Sequence, residues 1–239
     1  MILTLFKLQI LTFFREVENI LIGIGLPLLI LVINLAGISE ENATVTTMIV
    51  LPIVLALNLM SICISNAGHS HAYARGTKFL KRIQLTPVKS RDYIIAGILS
   101  QALKAITSLI GLLAITAILI DVNAINLNWL IFLPTFILFF AFFYFLGMFV
   151  ANIHPEHRKS ANFVNMTYFA VLIFGGVIAP VVNLPSSIEI IFRALPFMYP
   201  IVLLQQAWYG ESIMGIYLIV TLASTVILGL LSIKFFKFE

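Results

Sequence analysis

The sequence predicts an all-α integral membrane protein with six transmembrane helices. It also predicts an N-terminal interfacial amphipathic helix and a broken re-entrant element between helices five and six. Three observations carry this. Hydrophobic residues make up 61% of the 239-residue chain. Only 10% of the residues are charged, against roughly 25% in a soluble domain, and the mean hydropathy is +1.10. The apolar residues also fall into long runs, and about six crossings would use roughly 120 residues. Together these exclude a soluble enzyme, a disordered chain and a nucleic-acid-binding domain.

Residues 1–19 place Leu3, Phe6, Ile10, Phe13, Phe14 and Val17 at helical spacing, interrupted by Lys7, Arg15, Glu16 and Glu18. That pattern reads as an amphipathic helix lying in the membrane interface. The charges, and the lack of a small-residue cleavage site after them, do not fit a cleavable signal peptide. Span one covers 20–38, with a kink expected at Pro27, and span two covers 45–67, with another at Pro52. In span two Asn58, Ser61 and Ser65 share one face. Amides and hydroxyls in hydrocarbon need partners, so that face looks inward.

Residues 68–92 are the most charged stretch, with Arg75, Lys78, Lys81, Arg82, Lys89 and Arg91 against Asp92. Span three covers 94–120. Span four covers 129–151, with Trp129 as an interfacial anchor. A short polar loop with Arg158 and Lys159 follows, then a shorter fifth span over 163–178. Residues 179–212 break the pattern with Pro180, Pro185, Pro196 and Pro200. Ser186 and Glu189 form a capping box before an apolar run, and Pro200 opens a second short helix ending near Gly210. These two half-helices form the outer re-entrant segment. Span six covers 214–233.

The basic residues fix the orientation. Two precede span one, six lie in 68–92, two in 152–162 and two after span six. Only Lys104 and Arg193 fall elsewhere. This is the positive-inside pattern, with both termini cytoplasmic, and it accounts for the pI near 9.3.

Two motifs resemble a known family. Arg75-Gly76-Thr77-Lys78-Phe79-Leu80-Lys81-Arg82 leads to Leu85-Thr86-Pro87-Val88-Lys89-Ser90-Arg91. Gly175-Gly176, Pro180 and Asn183-Leu184-Pro185 precede Leu195-Pro196-Phe197 and Tyr199-Pro200. In this order they are similar to the membrane (permease) subunit of ATP-binding-cassette (ABC) exporters of the type-two family, over essentially the whole chain. The family's Glu-rich stretch before Gly-Thr is replaced here by His71-Ala72-Tyr73-Ala74. The resemblance implies that residues 68–92 form a coupling loop seated on a cytoplasmic ABC ATPase subunit. The coupling residues it implies are Arg75, Gly76, Thr77, Lys78, Phe79, Leu80, Lys81, Arg82, Thr86 and Pro87. It further implies a second permease subunit, identical or not, with the transport pathway between the two, in a bacterial plasma membrane.

The residues themselves add to this. The chain has no P-loop and no Gly-Lys pair, so no cofactor is expected on it, and ATP and magnesium would enter through the partner ATPase. Phe79 and Ile83, at i and i+4, could offer an apolar ridge to a partner or the bilayer. Lys104 shares a helix face with Gly97, Ser100, Gln101, Ser108 and Gly111. A lysine at mid-helix costs roughly 2.5–3.5 kcal/mol on insertion scales. Two readings of it stand open: it lines the pathway, or it snorkels to the inner interface. Asn162, Asn165 and Tyr168 on span five could join Asn58, Ser61, Ser65 and Lys104 along that path, or simply pack. His69/His71 and His154/His157 lack carboxylate or cysteine company, so no metal site is expected. Cys63, the one cysteine, reads as a small buried hydrophobe.

The expected function is export of a drug, antimicrobial peptide or other amphiphilic compound. Export of a polysaccharide or lipid-linked glycan, or a non-transporting immunity role, are the alternatives. An intramembrane enzyme is disfavoured, because almost all ten acids lie in loops or at termini.

Overall fold

The computed structural model describes residues 3–7, 11, 29, 32–33, 40–85, 90–119, 127–154, 156–175 and 195–236. Among them the secondary structure is entirely helical. Residues 3–7 are helical; the rest of the expected interfacial helix and most of span one lie outside the described residues. So do Thr86, Pro87 and the first half of the re-entrant segment, residues 179–194.

Span two differs most from expectation. Helix α1 (Glu40–Met60) runs into a π-helical segment (Ser61–Asn66), which runs into α2 (Ala67–Gly76) without a break. The helix therefore passes nine residues beyond 67, into what the charge pattern marked as loop. The reason is packing: Ala67, Gly68, His71, Ala72, Ala74 and Arg75 of α2 are buried. Thr77 and Lys78 then end the helix. The Thr77 amide and Oγ1 both donate to the Tyr73 carbonyl, at 2.9 and 3.0 Å. Lys78 adopts φ 56°, in the left-handed region, which costs a non-glycine residue roughly 1–2 kcal/mol. The short helix α3 (Phe79–Gln84) leaves from this corner.

Helix α4 (Ser90–Leu119) begins four residues before the expected third span. Helix α5 (Trp129–Ile153) follows span four closely, and Asn128 caps it by accepting from the Leu130 amide at 3.2 Å. Helix α6 (His157–Phe174) starts six residues before the expected fifth span, because the polar His157–Asn162 stretch continues the helix. Helix α7 (Met198–Tyr209) carries Pro200 in its first turn and stops at Gly210, whose φ of 69° is the usual left-handed helix end. Helix α8 (Gly215–Lys234) matches span six. Among the described residues four helical stretches are long and apolar enough to cross a bilayer: Ile49–Gly76, Arg91–Ala114, Trp129–Ile153 and Gly215–Lys234.

Helix α5 is the hub, packing against α7, α8, α6, α2 and the π segment. Its Phe132, Phe139, Phe142 and Phe143 are fully buried, and Phe132 meets Trp208 of α7 edge to face at 5.8 Å. Between apolar helices in lipid, close packing rather than water exclusion supplies the attraction, so small residues mark the contacts. A Cβ on Gly147 would lie 2.6 Å from the Cys63 carbonyl oxygen, in the π segment, and one on Gly68 would lie 2.8 Å from Val164. Backbone therefore lies directly against backbone where α5 crosses the π turn.

Gly147→Ala is expected to destabilise the protein by about 1–3 kcal/mol, as overpacking does. Gly229→Ala should be neutral or stabilising, since its Cβ would meet Phe145 at an ordinary 3.5 Å and alanine is the better helix former by about 1 kcal/mol. Thermal unfolding of the two variants in detergent checks the contrast.

Candidate functional site

Two groups of candidate residues lie on opposite sides of the helix that runs from Glu40 to Gly76. The first is at its basic end. Arg75 was expected on a docking surface, but the structure turns it inward. It is 7% exposed, and its Nη1 donates to the carbonyls of Ala151 and His154 at 3.0 and 3.1 Å. These are among the carbonyls that a helix leaves without internal partners at its C-terminal end, here that of α5. A cation there also meets the negative end of the helix dipole. Ser160 of α6 donates to the same Ala151 carbonyl at 2.7 Å. One turn earlier, His71 donates from Nε2 to Asn152 Oδ1 at 2.9 Å, and Asn152 donates to the Met148 carbonyl at 2.8 Å. The Gly76 backbone sits against His157, where a Cβ would be 2.6 Å from that ring's own Cβ. Arg75 and Gly76 thus bind the end of α2 to the α5–α6 junction.

Past the Lys78 corner, the polarity of α3 is segregated. Leu80 (0% exposed) and Ile83 pack with Ala74 and Tyr93, and Leu5, Phe79, Ile94 and Phe236 close around them. The ridge expected to face a partner or the bilayer is therefore turned inward. It joins residues 3–7, α3, the start of α4 and the end of α8. The exposed side carries Gly76, Thr77, Lys78, Lys81, Arg82 and Leu85. Glu156 and Lys159 pair at 2.8 Å nearby, largely in the open; Lys159 holds the Glu156 carboxyl below its ordinary range.

The second group is a polar seam between α4 and the α1–π helix. On α4 the predicted polar face is the buried one: Ser100, Gln101, Lys104 and Ser108 are buried, while Leu99, Leu103, Ile106 and Ile110 are exposed. Ser108 donates to Asn58 Oδ1 at 2.7 Å. Lys104 Nζ donates to Asn66 Oδ1 at 3.2 Å, and Gln101 Nε2 reaches the same oxygen at 3.5 Å. Lys104 is 9% exposed, and its ammonium is held against Asn66 within the fold. Ser61 is buried in the π segment. Ser65 pairs locally with His69, Oγ to Nδ1 at 3.3 Å. Asn165 stands apart, on the exposed side of α6.

Asn66 had no claim on this seam from spacing. Eight residues of α-helix advance about 80° past two full turns, which would put Asn66 off the Asn58 face. The wider π turns absorb that excess and bring Asn66 opposite Lys104. His71 entered the sequence reading only as half of a weak histidine pair, and Asn152 carried no signal.

An alternation of apolar helices with this basic corner defines a multi-pass membrane protein. The profile of the family ABC2_membrane (ABC-2 type transporter) matches residues 1–209. The chain therefore belongs to the ABC-2 type transporter family of membrane permease subunits. No individually curated protein matches it.

Arg75→Ala removes two charge-assisted bonds to buried carbonyls and should cost about 1.5–3 kcal/mol. Arg75→Lys, with a single point donor in place of the fork, should recover only part of it. Melting temperatures of the two variants against the wild type measure this.

Proposed function

We propose that the chain is the permease subunit of an ATP-driven exporter. It moves a drug, antimicrobial peptide or other amphiphilic compound out across a bacterial plasma membrane, and a separate cytoplasmic ABC ATPase hydrolyses the ATP. The observation that carries this is the two-sided helix α3. Its apolar side is bolted to the membrane-spanning body through Leu80 and Ile83, and Lys81 and Arg82 face outward. A short helix of this kind, fixed on one side and charged on the other, is suited to receive a push from a docked subunit. Thr77, Lys78, Lys81, Arg82 and Leu85 form the docking surface in this reading, and Arg75 and Gly76 pass the displacement to α5 and α6. The positive-inside bias of the basic residues supports a cytoplasmic position for this end and for both termini. The chain lacks a P-loop, which supports a separate source of ATP hydrolysis.

The second permease subunit seats on α6. Its outer face presents Asn162 and Asn165 among Phe163, Met166, Phe169 and Ile173, all exposed. Asparagine amides facing acyl chains are costly without partners, and a second copy supplies them. The pathway runs by the polar seam of Asn58, Ser61 and Lys104.

The double reversal Lys81→Glu/Arg82→Glu should reduce co-purification of the ATPase about tenfold or more, the equivalent of 1.4 kcal/mol. Its unfolding free energy should stay within about 0.5 kcal/mol of the wild type's, as for surface changes. Undiminished association would remove α3 from the docking surface.

A further inference from the structure

Gln101 sits in the α4 seam with half of its amide unused. It is 4% exposed. Its Nε2 reaches Asn66 Oδ1 at 3.5 Å, the outer limit of a hydrogen bond, and its Oε1 has no hydrogen-bond partner. The neighbouring bond fixes which atom is which. Lysine carries only donors, and Lys104 Nζ donates to Asn66 at 3.2 Å, so the Asn66 atom on that side is the oxygen. The Gln101 atom facing the same oxygen is then the nitrogen, which leaves Oε1 on the unpaired branch. A buried acceptor without a partner is uncommon in folded proteins and calls for a reason.

The partner on the facing helix supplies a second observation. Asn66 is half-buried and is the last residue of the π segment, a helix form found often at functional sites. The Gln101–Asn66 contact is thus long, and it ends on the least regular turn of the Glu40–Gly76 helix. Breaking it frees a donor beside an open acceptor on one amide. Lys104 keeps its own bond to Asn66 when that happens, so the charge of its ammonium plays no part.

We propose that Gln101 is a recognition site for amphiphiles whose head carries two adjacent hydroxyls. One hydroxyl donates to Oε1, and its neighbour accepts from Nε2. The inference rests on the permease reading and narrows its cargo. Hydroxyls suit both positions, because each can donate or accept and rotates its proton to fit. A secondary amide does not: its bond is planar and trans, so its N–H and C=O point to opposite sides. A peptide backbone therefore meets only half of the Gln101 amide at a time.

The test uses the full chain in phosphatidylcholine nanodiscs and radiolabelled glyceryl monolaurate, with binding to empty nanodiscs subtracted. Saturable binding is expected. Gln101→Leu should weaken it about tenfold or more, the equivalent of about 1.4 kcal/mol. The same variant should melt at or above the wild-type temperature, because it removes a buried acceptor that has no partner. Ethylene glycol monolaurate has the same chain and ester but one hydroxyl, and should compete about tenfold more weakly. N-methyl lauramide should compete no better than that. Wild-type affinity in Gln101→Leu would overturn the site. Lost binding together with a lowered melting temperature would make Gln101 a packing residue and overturn it as well. Competition by either single-group ligand at the strength of glyceryl monolaurate would overturn the paired-hydroxyl assignment. ATPase co-purification, measured in parallel, separates the two proposals. No binding by a wild-type chain that still associates with the ATPase defeats this site alone, and binding without any associating ATPase defeats the exporter reading alone.

Discussion

The contact of the Gly147 backbone with the π turn at Cys63 and Ile64 sets the rest of the molecule. No side chain fits between them: a Cβ at Gly147 would lie 2.6 Å from the Cys63 carbonyl oxygen and 2.9 Å from the Ile64 Cα. With the two longest buried helices touching there, the course of α2 toward the basic end is fixed. It passes Val164 at Gly68 and reaches His157 at Gly76. Arg75 then falls on the open carbonyls at the end of α5, and the Thr77–Lys78 corner aims α3 across the base of the bundle. The position of the basic helix is thus a consequence of helix packing within the body of the bundle.

Polar groups are few and each has a structural consequence, because hydrocarbon offers them no water. At the basic end the polar residues close the α2–α5–α6 junction through Arg75, Ser160, His71 and Asn152. In the seam they link α4 to the α1–π helix in two rungs, Asn58–Ser108 and Asn66–Lys104. The two sets lie along one continuous helix, and the seam takes in the π segment through Asn66. A single continuous helix thus joins the α3 corner to the seam. In the proposed function this helix is the element that docking surface and cargo path share.

Much of this was legible in the sequence, and the exceptions have physical causes. Helices α5 and α8 lie within two residues of the apolar runs read as spans four and six, because uninterrupted apolar runs favour unbroken helix in lipid. The polar face of α4 was read correctly from its spacing, and its burial follows from the cost of solvating it in hydrocarbon. The end of span two was misplaced, since charge density at 68–92 suggested a loop where burial of small residues continues the helix. Arg75 and the Phe79–Ile83 ridge were expected to face outward. Hydropathy cannot tell which side of a short basic helix meets the body, and an arginine that caps a neighbouring helix looks like any other until that neighbour's end is known. Asn66 was illegible for a different reason: its place depends on six residues being π rather than α, and SICISN carries no pattern that announces the change.

The central claim is that the charged side of α3 meets an ATPase while its apolar side holds the membrane body. Site-directed cross-linking tests it most directly. Cys63 is the chain's one cysteine and is buried, so a Cys63→Ala background with a cysteine introduced at Arg82 gives a single reactive point. Cross-linking to a co-expressed P-loop ATPase is predicted at position 82, and none from Ile110→Cys, which is exposed on α4. Equal cross-linking at both positions, or none at Arg82 while the ATPase still co-purifies, would contradict the account.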